Sequence, residues 1–496
     1  MSLGKVGDRL VIVSNRLSIV LTKTHDGEWH SEPGSGGLIT AIAPILRKRG
    51  GSWIGWTGTV EEENADLSRV LAEATNASGY TLEPVILSAN ERDKFYLGFA
   101  NEVIWPLFHD LQTRCNFDPS YWAIYQDVNR KFAAAVAHHA TSGNYIWVQD
   151  YHLMNVAKSL HELGVNTPIG FFLHIPFPPL DIFLKLPWRS QILRALLEYD
   201  LIGFQTLRDR QNFVHCIRAL LKDVTIRGKG QVLTTRINGR EVRIGGFPIS
   251  IDFHEFEQQA ATPEVDDQVS ETRAAFSDRQ MIFGVDRLDY TKGIPERLEA
   301  FRNALKRFPE LHQQVTFVQV VVPSRIVIRE YHDLKVEVER LVGEINGQFT
   351  QAGWVPIHYM FRPLDRTELL AYYRTADIAL ITPVKDGMNL VCKEYCACNE
   401  EDGVLILSEF AGAAAQLQHG ALLVNPYDVE GTAEAIYQAW KMSSAERRAR
   451  LRTMRRSIRE QDIFWWVNSF LKAGTMQDLD DFPVLDDYIP VIEMEE

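Results

Sequence analysis

The stretch MIFGVDRLDYTKG (281–293) decides the fold. Met281–Val285 is an unbroken apolar run without the polar alternation of a half-wet sheet, so it predicts a strand covered by helices on both faces. The run ends in a charged loop. Pro295 then opens a helical pattern over 295–307, where its missing N–H costs nothing because the first helical turn has no acceptor to offer it. Strand, loop and helix in that order make the repeating unit of a doubly wound α/β sheet.

The same unit recurs on both sides of that stretch. LVIVS (10–14), SWIGW (52–56), YIWVQ (145–149), IGFFLH (169–174) and LIGFQ (201–205) precede it, and VTFVQVVV (315–322), IALITP (378–383) and VLILS (404–408) follow. Helical patterns lie between them at 38–49, 209–221, 295–307, 328–343 and 430–441. The segment EFEQQAATPEVDDQVSETRAAF (255–276) is polar, acidic and free of strand signals, and reads as a connection. This predicts an N-terminal domain over 1–255 and a C-terminal domain over 256–465. Residues 466–496 are expected to form a helix and acidic tail packing back on the first domain. Two similar α/β domains facing across a cleft would take ligands at the carboxyl ends of both sheets.

Composition narrows the function. The chain has 496 residues, 46% hydrophobic and 24% charged, the balance of a globular protein. Lys and Arg total 52 against 65 Asp and Glu, leaving −13, whereas duplex-binding surfaces carry clustered positive charge. Nucleic acid is therefore excluded as the expected partner. The five cysteines, Cys115, Cys216, Cys392, Cys396 and Cys398, form no paired framework and suit a reducing cytoplasm. Leu10–Val13 breaks too early for a signal-peptide core, and no run approaches the roughly 18 apolar residues of a membrane helix. No second Cys or His cluster completes a metal site around Cys392 and Cys396. The seven arginines between 447 and 459 read as a solvated helix face, and DLDD (478–481) as an acidic tail.

Four constellations carry candidate chemistry. Arg16 follows the first strand, and Gly36-Gly37 precedes a helix whose N-terminal amides suit an anion, although taken alone a flexible turn and a solvent-facing arginine explain them better. Asp150 and His174 each sit just past a strand, where α/β enzymes keep ligand contacts, while a histidine there also serves to satisfy a buried carbonyl. Arg287 and Lys292 flank a turn and could neutralise a diphosphate leaving group; the alternative pairs them locally with Asp286 and Asp289. Asp386-Gly387 precedes a helical start whose amides at Met388, Asn389, Leu390 and Val391, with Glu394 a turn beyond, suit a nucleotide sugar.

Together VIVSNR, SGGL, WIGWTG, WPLFH, DYHL, FFLHIPFP, GFQT, FGVDRLDYTKG, EINGQF, TPVKDGMNLVCKEY and LSEFAGAA resemble the trehalose-6-phosphate synthase family over nearly the whole chain. That family comprises retaining glycosyltransferases of the GT-B type. The resemblance implies UDP-glucose as donor and glucose 6-phosphate as acceptor, with neither metal nor other cofactor. It places Gly36, Gly37, Arg287, Lys292 and the amides of Met388 to Val391 on the donor diphosphate and sugar. Glu394 would hold the ribose, Asp386 the glucose hydroxyls, and His174 the sugar near the reacting carbon. Arg16 and Arg325 would clamp the acceptor phosphate with Tyr96 and Trp56, and Asp150 and Trp105 would position the acceptor sugar. His174, Arg287, Lys292 and Asp386 form the implied catalytic set; homo-oligomerisation is left open.

Two departures stand out. HDLQTRCNFDPSYW (109–122) is unlike the forms associated with trehalose enzymes, and Gln149 stands where many relatives carry histidine. The related glucosylglycerol-phosphate synthases, which take glycerol 3-phosphate, are the alternative; Arg16 and the WIGW tryptophan favour glucose 6-phosphate.

Overall fold

A computed structural model describes residues 9–23, 28–34, 37–63, 67–141, 143–222, 224–228, 230–276, 279–325, 328–400, 402–475, 482 and 485–490. Gly36 and the DLDD segment (478–481) lie outside the described residues. The chain divides into two compact units, 1–248 with 464–485 and 249–463 with 486–496.

The first unit contains β1 (Arg9–Arg16), β2 (Ile19–Lys23), β3 (Trp29–Pro33), β4 (Gly51–Val60), β5 (Thr81–Leu87), β6 (Asn144–Gln149), β7 (Ile169–Phe172), β8 (Leu201–Phe204), β9 (Ile226–Arg227), β10 (Val232–Ile237) and β11 (Arg240–Gly246). Its main sheet runs β5-β4-β1-β6-β7-β8-β11-β10-β9, and β2–β3 is a separate hairpin. The strands from β5 to β11 are parallel, with β10 and β9 returning antiparallel. Hairpin aside, the six leading strands take the order 3-2-1-4-5-6 of a Rossmann sheet. Ile12 of β1 lies between Trp53 of β4 and Trp147 of β6, and β6 is buried throughout.

The second unit repeats the scheme with β12 (Gln280–Arg287), β13 (Val315–Val322), β14 (Ile357–Met360), β15 (Ile378–Ile381), β16 (Val404–Ser408) and β17 (Leu422–Val424). Its order, β14-β13-β12-β15-β16-β17, is again 3-2-1-4-5-6 and wholly parallel. The helix Ile294–Arg307 has Pro295 in its first turn and buries Leu298, Phe301, Ala304 and Leu305 against the sheet core. In each sheet the strand order reverses beside the first strand, between β1 and β6 and between β12 and β15. That reversal opens a crevice at the strand carboxyl ends.

Three expectations change. The segment 255–276 is no bare connection: it belongs mostly to the helices Phe253–Ala260 and Pro263–Ala275, inside the second unit. Val265, Val269 and Thr272 form the buried stripe of the latter helix, sparse enough to be masked by its acidic remainder. The basic helix Ser444–Glu460 is not merely solvated. Arg447 is buried and binds the Ala439 and Met442 carbonyls, and Arg455 binds those of Cys396, Ala397 and Asn399, each closing a helix C-terminus. The helix after Asp386 begins at Val391 rather than Met388.

The helix Ile463–Thr475 belongs, from Phe464 onward, to the first unit. Phe470 stacks on Trp147 at 4.4 Å between ring centroids, and Trp466 lies 5.0 Å from both Trp147 and Phe172. All five cysteines are free thiols, and no described helix is long and apolar enough to cross a membrane.

Candidate active site

In the second unit, the loops after β12 and β15 are laced together. Gly293 has φ +62°, and a Cβ there would collide with the Thr382 carbonyl, so only glycine lets the two loops touch. Backbone bonds from Val384 and Lys385 to the Thr291 carbonyl fix the approach. Beneath them Arg297, 1% exposed, bonds Asp286 (2.5 Å), Gln319 (3.1 Å), Thr382 (3.1 Å) and the Lys292 carbonyl (3.2 Å). Burial raises the Asp286 pKa, opposed by the Arg297 charge.

This lacing delivers Lys292 Nζ to 2.5 Å from Asp386 Oδ2. The loop bearing Asp386 is itself held by a second one, through Asp386 N to Phe410 O, Gly412 N to Asp386 O and Ala413 N to Met388 O. Asn389 adopts φ +73°, and its side chain does two jobs: Nδ2 donates to Asp386 (3.2 Å), and Oδ1 accepts from Cys392 N (3.2 Å), capping the helix Val391–Cys398. The Met388 amide points at Asp386 Oδ1 (3.4 Å), so it faces a carboxylate, whereas the amides of Leu390 and Val391 have no hydrogen-bond acceptor among the described residues. Glu394 accepts from the Tyr373 hydroxyl at 2.8 Å, and burial raises its pKa.

Arg287 ends β12 exposed, and among the described residues its side chain has no hydrogen bond or ion pair. The local pairing with Asp286 and Asp289 is therefore not what forms: Asp286 goes to Arg297, and Asp289 accepts from Thr291. Arg325, at φ +48°, donates to the Tyr331 hydroxyl (2.8 Å) and lies 3.9 Å from Asp289.

In the first unit the strand ends carry a second group. Arg16 closes β1 with its guanidinium 4.6 Å from the centre of the Trp56 ring, and Trp56 packs against Tyr96 at 5.6 Å. Tyr96 in turn stacks on His152 at 6.0 Å. Asp150, at φ +74°, bonds β7 through its amide (Phe172 O, 2.7 Å) and accepts the His174 backbone N–H on its carboxylate (3.1 Å). His174 Nε2 is 2.9 Å from Gln149 Oε1, and its Nδ1 is 3.5 Å from Gln205 Nε2. Burial depresses the His174 pKa to about 3, so the ring is neutral. Trp105 is buried 5.9 Å from Tyr151, the neighbour of Asp150. Gly37 opens the helix Gly37–Arg49.

Residues 8–475 match the sequence family described as Glycosyltransferase family 20. The chain belongs to that family. A trehalose-6-phosphate synthase of Mycolicibacterium gilvum is 44% identical over 471 residues, 93% of each chain, and one of Mycobacterium leprae is 41% identical over 93% of this chain and 94% of its own. Among solved structures, a UDP-forming α,α-trehalose-phosphate synthase of Burkholderia xenovorans in complex with glucose-6-phosphate superposes with TM-score 0.85 at 35% identity, covering 94% of this chain and 100% of that one. A trehalose-6-phosphate enzyme of E. coli bound with UDP-2-fluoro glucose does so with TM-score 0.84 at 36% identity, covering 94% and 99%. Both units are thus Rossmann-like domains of a GT-B glycosyltransferase.

Within this family 20 site, sequence reading missed Arg297, Tyr373, Gln205 and Lys393. Lys393 is fully buried beside Glu394 and donates to the Ile249 carbonyl at 2.9 Å. Its only sequence signal is position, one residue before Glu394 on a short apolar helix. Arg297 has a weak signal, since the 295–307 helical pattern turns it inward.

Proposed function

We propose that this chain transfers glucose from UDP-glucose to glucose 6-phosphate with retention, forming α,α-trehalose 6-phosphate and UDP. The observation that carries the reading is the Lys292–Asp386 pair at the carboxyl ends of β12 and β15, set at the strand-order reversal where such sheets bind nucleotides. The family relatives named for this activity support it.

Lys292 and Arg287 take the donor diphosphate, Asp386 the glucose hydroxyls, Glu394 the ribose, and, of the amides from Met388 to Val391, those nearest the helix start at Leu390 and Val391 the remaining oxygens. Gly36 and Gly37 also serve the donor. Arg16, Arg325, Trp56 and Tyr96 take the acceptor phosphate, and Asp150 and Trp105 its sugar. The bond from glucose C1 to the diphosphate oxygen breaks as C1 bonds the acceptor hydroxyl oxygen on the same face. The hydroxyl proton passes to the departing phosphate oxygen, so charge balances without a protein nucleophile. Positive charge fixed at the leaving group, and the two sugars held in reacting geometry, supply the rate. A neutral His174 gives hydrogen bonding to the donor sugar and no proton.

Incubation with UDP-glucose and glucose 6-phosphate, followed by NMR of the product, tests this. A 1,1-linked α,α-disaccharide phosphate with equimolar UDP is expected. Equal or faster UDP release with glycerol 3-phosphate would assign the chain to the glucosylglycerol-phosphate reaction instead.

A further inference from the structure

Three side chains at the ends of β6, β7 and β8 form a short relay: Gln149 and Gln205, both buried, and the half-buried His174 between them. Gln149 is 0% exposed and Gln205 1%, so neither exchanges its partners with solvent. The side-chain groups around the imidazole are Gln149 from β6, Gln205 just beyond β8, Phe172 from β7 at 4.7 Å and Trp466 at 6.1 Å, all uncharged. Burial alone accounts for the depressed His174 pKa. Among the described residues the neighbouring carboxylate of Asp150 accepts the His174 backbone N–H. Consecutive residues therefore divide the work, Gln149 holding the ring and Asp150 the backbone.

The proton arrangement follows from donors and acceptors. Gln205 presents an N–H to Nδ1, which must then accept; Gln149 presents its carbonyl to Nε2, which must then donate. Turning the Gln149 amide over would set two donors against a neutral ring that has one acceptor. The present orientation leaves the Gln149 N–H₂ buried without a partner among the described residues, at a cost of about 1–3 kcal/mol. An apolar residue of similar size would avoid that cost but would offer Nε2 no acceptor. The Nε2 bond is short at 2.9 Å, while the Nδ1 contact is long at 3.5 Å and can yield to a better donor.

We propose that Gln149 is a positioning residue that locks His174 as the neutral Nε2–H tautomer, so that Nδ1 offers a lone pair to a hydroxyl of the donor sugar. The inference rests on the reading of His174 as a donor-sugar contact. It extends that reading by fixing which nitrogen faces the sugar and in which sense the hydrogen bond runs: the hydroxyl donates and the imidazole accepts. A protonated ring could not do this, because both nitrogens would then be donors.

The test combines long-range ¹H–¹⁵N NMR of uniformly labelled protein with kinetics, His174→Gln assigning the resonances. Wild type should show His174 with Nε2 protonated and Nδ1 bare from about pH 5 to pH 9. Gln149→Leu should lose that tautomer preference and lower kcat by about 10²-fold, with the glucose 6-phosphate KM unchanged. Gln149→Glu, which keeps an acceptor at Nε2 but places a negative charge beside the ring, should restore most activity near pH 8. It should also add an acid limb absent from wild type, as the raised His174 pKa turns Nδ1 into a donor. A wild-type ring protonated on Nδ1, or Gln149→Leu with normal kcat beside a crippled His174→Gln, overturns the positioning role. Normal kcat in His174→Gln itself overturns the donor-contact reading.

Discussion

Lys292 Nζ lies 2.5 Å from Asp386 Oδ2, and both side chains are 14% exposed. The two residues come from loops 94 positions apart in sequence, after the first and fourth strands of one Rossmann sheet. The carboxylate neutralises the cation. In the proposed reaction, a bound donor would give Asp386 a sugar hydroxyl to accept from and release Lys292 toward the diphosphate within the same laced loops. The cation is thus placed before charge develops on the leaving group, which is the condition under which electrostatic stabilisation acts on the transition state.

Lys292→Ala should therefore lower kcat by about 10²–10³-fold while the UDP-glucose KM moves little. Initial rates of UDP release across donor concentrations measure this. A rise in KM at unchanged kcat would mean that Lys292 only helps binding.

Arg325→Ala should act on the other substrate. Loss of a charge-assisted contact to the acceptor phosphate, about 1.5–3 kcal/mol, should raise the glucose 6-phosphate KM roughly 10- to 100-fold. The UDP-glucose KM should stay within twofold of wild type or so. A defect confined to the donor would invert the assignment of the phosphate sites.

Arg297→Met should destabilise the protein by about 3–5 kcal/mol, because it leaves Asp286 buried without its cation. Thermal denaturation gives the magnitude. Adding Asp286→Asn to the same chain should recover most of the loss, since the uncompensated charge is then gone; additive losses would contradict a coupled pair.

The parts legible in the sequence are those where one physical cause dominates. β12, β13 and β16 are buried on both faces, so apolarity alone marks them. Arg287, Lys292 and Asp386 follow such runs closely, and a charge placed there marks both the end of a buried strand and the mouth of the crevice. β10 and β11 escape notice because their residues are mixed in polarity, yet Asn238-Gly239, at φ +50° and +82°, is a hairpin-turn signal between them. Lys393 is illegible as a site element, and Arg297 only faintly legible from the helical pattern, because a charged residue in a helix is ordinarily on its wet side. Only the tertiary partners, Ile249 for one and Asp286 for the other, explain their burial. Asn389 reads in sequence as one amide in a helical turn. Its left-handed backbone makes it a cap instead and moves the helix start to Val391.

Lys393 gives a pH signature. Burial lowers its pKa from 10.5 to about 8. Below about pH 8 both folded and unfolded chains hold the proton, and folding bears the full cost of burying it. Between about pH 8 and 10.5 the folded chain has released the proton while the unfolded chain retains it, so this residue makes stability rise with pH. The melting temperature of wild type relative to Lys393→Met should therefore climb across that interval. Parallel curves for the two proteins would show that the amine does not titrate there.

Separate calorimetric titrations of UDP and of glucose 6-phosphate into wild type, Lys292→Ala and Arg16→Ala test the central claim, that distinct cations hold the two phosphoryl groups. Lys292→Ala should weaken binding of UDP alone, because the terminal phosphate of UDP, unlike that of UDP-glucose, carries the full leaving-group charge, and Arg16→Ala should weaken glucose 6-phosphate binding alone, each about tenfold or more. Loss of glucose 6-phosphate binding in Lys292→Ala with UDP binding intact, or of UDP binding in Arg16→Ala with glucose 6-phosphate binding intact, would contradict it.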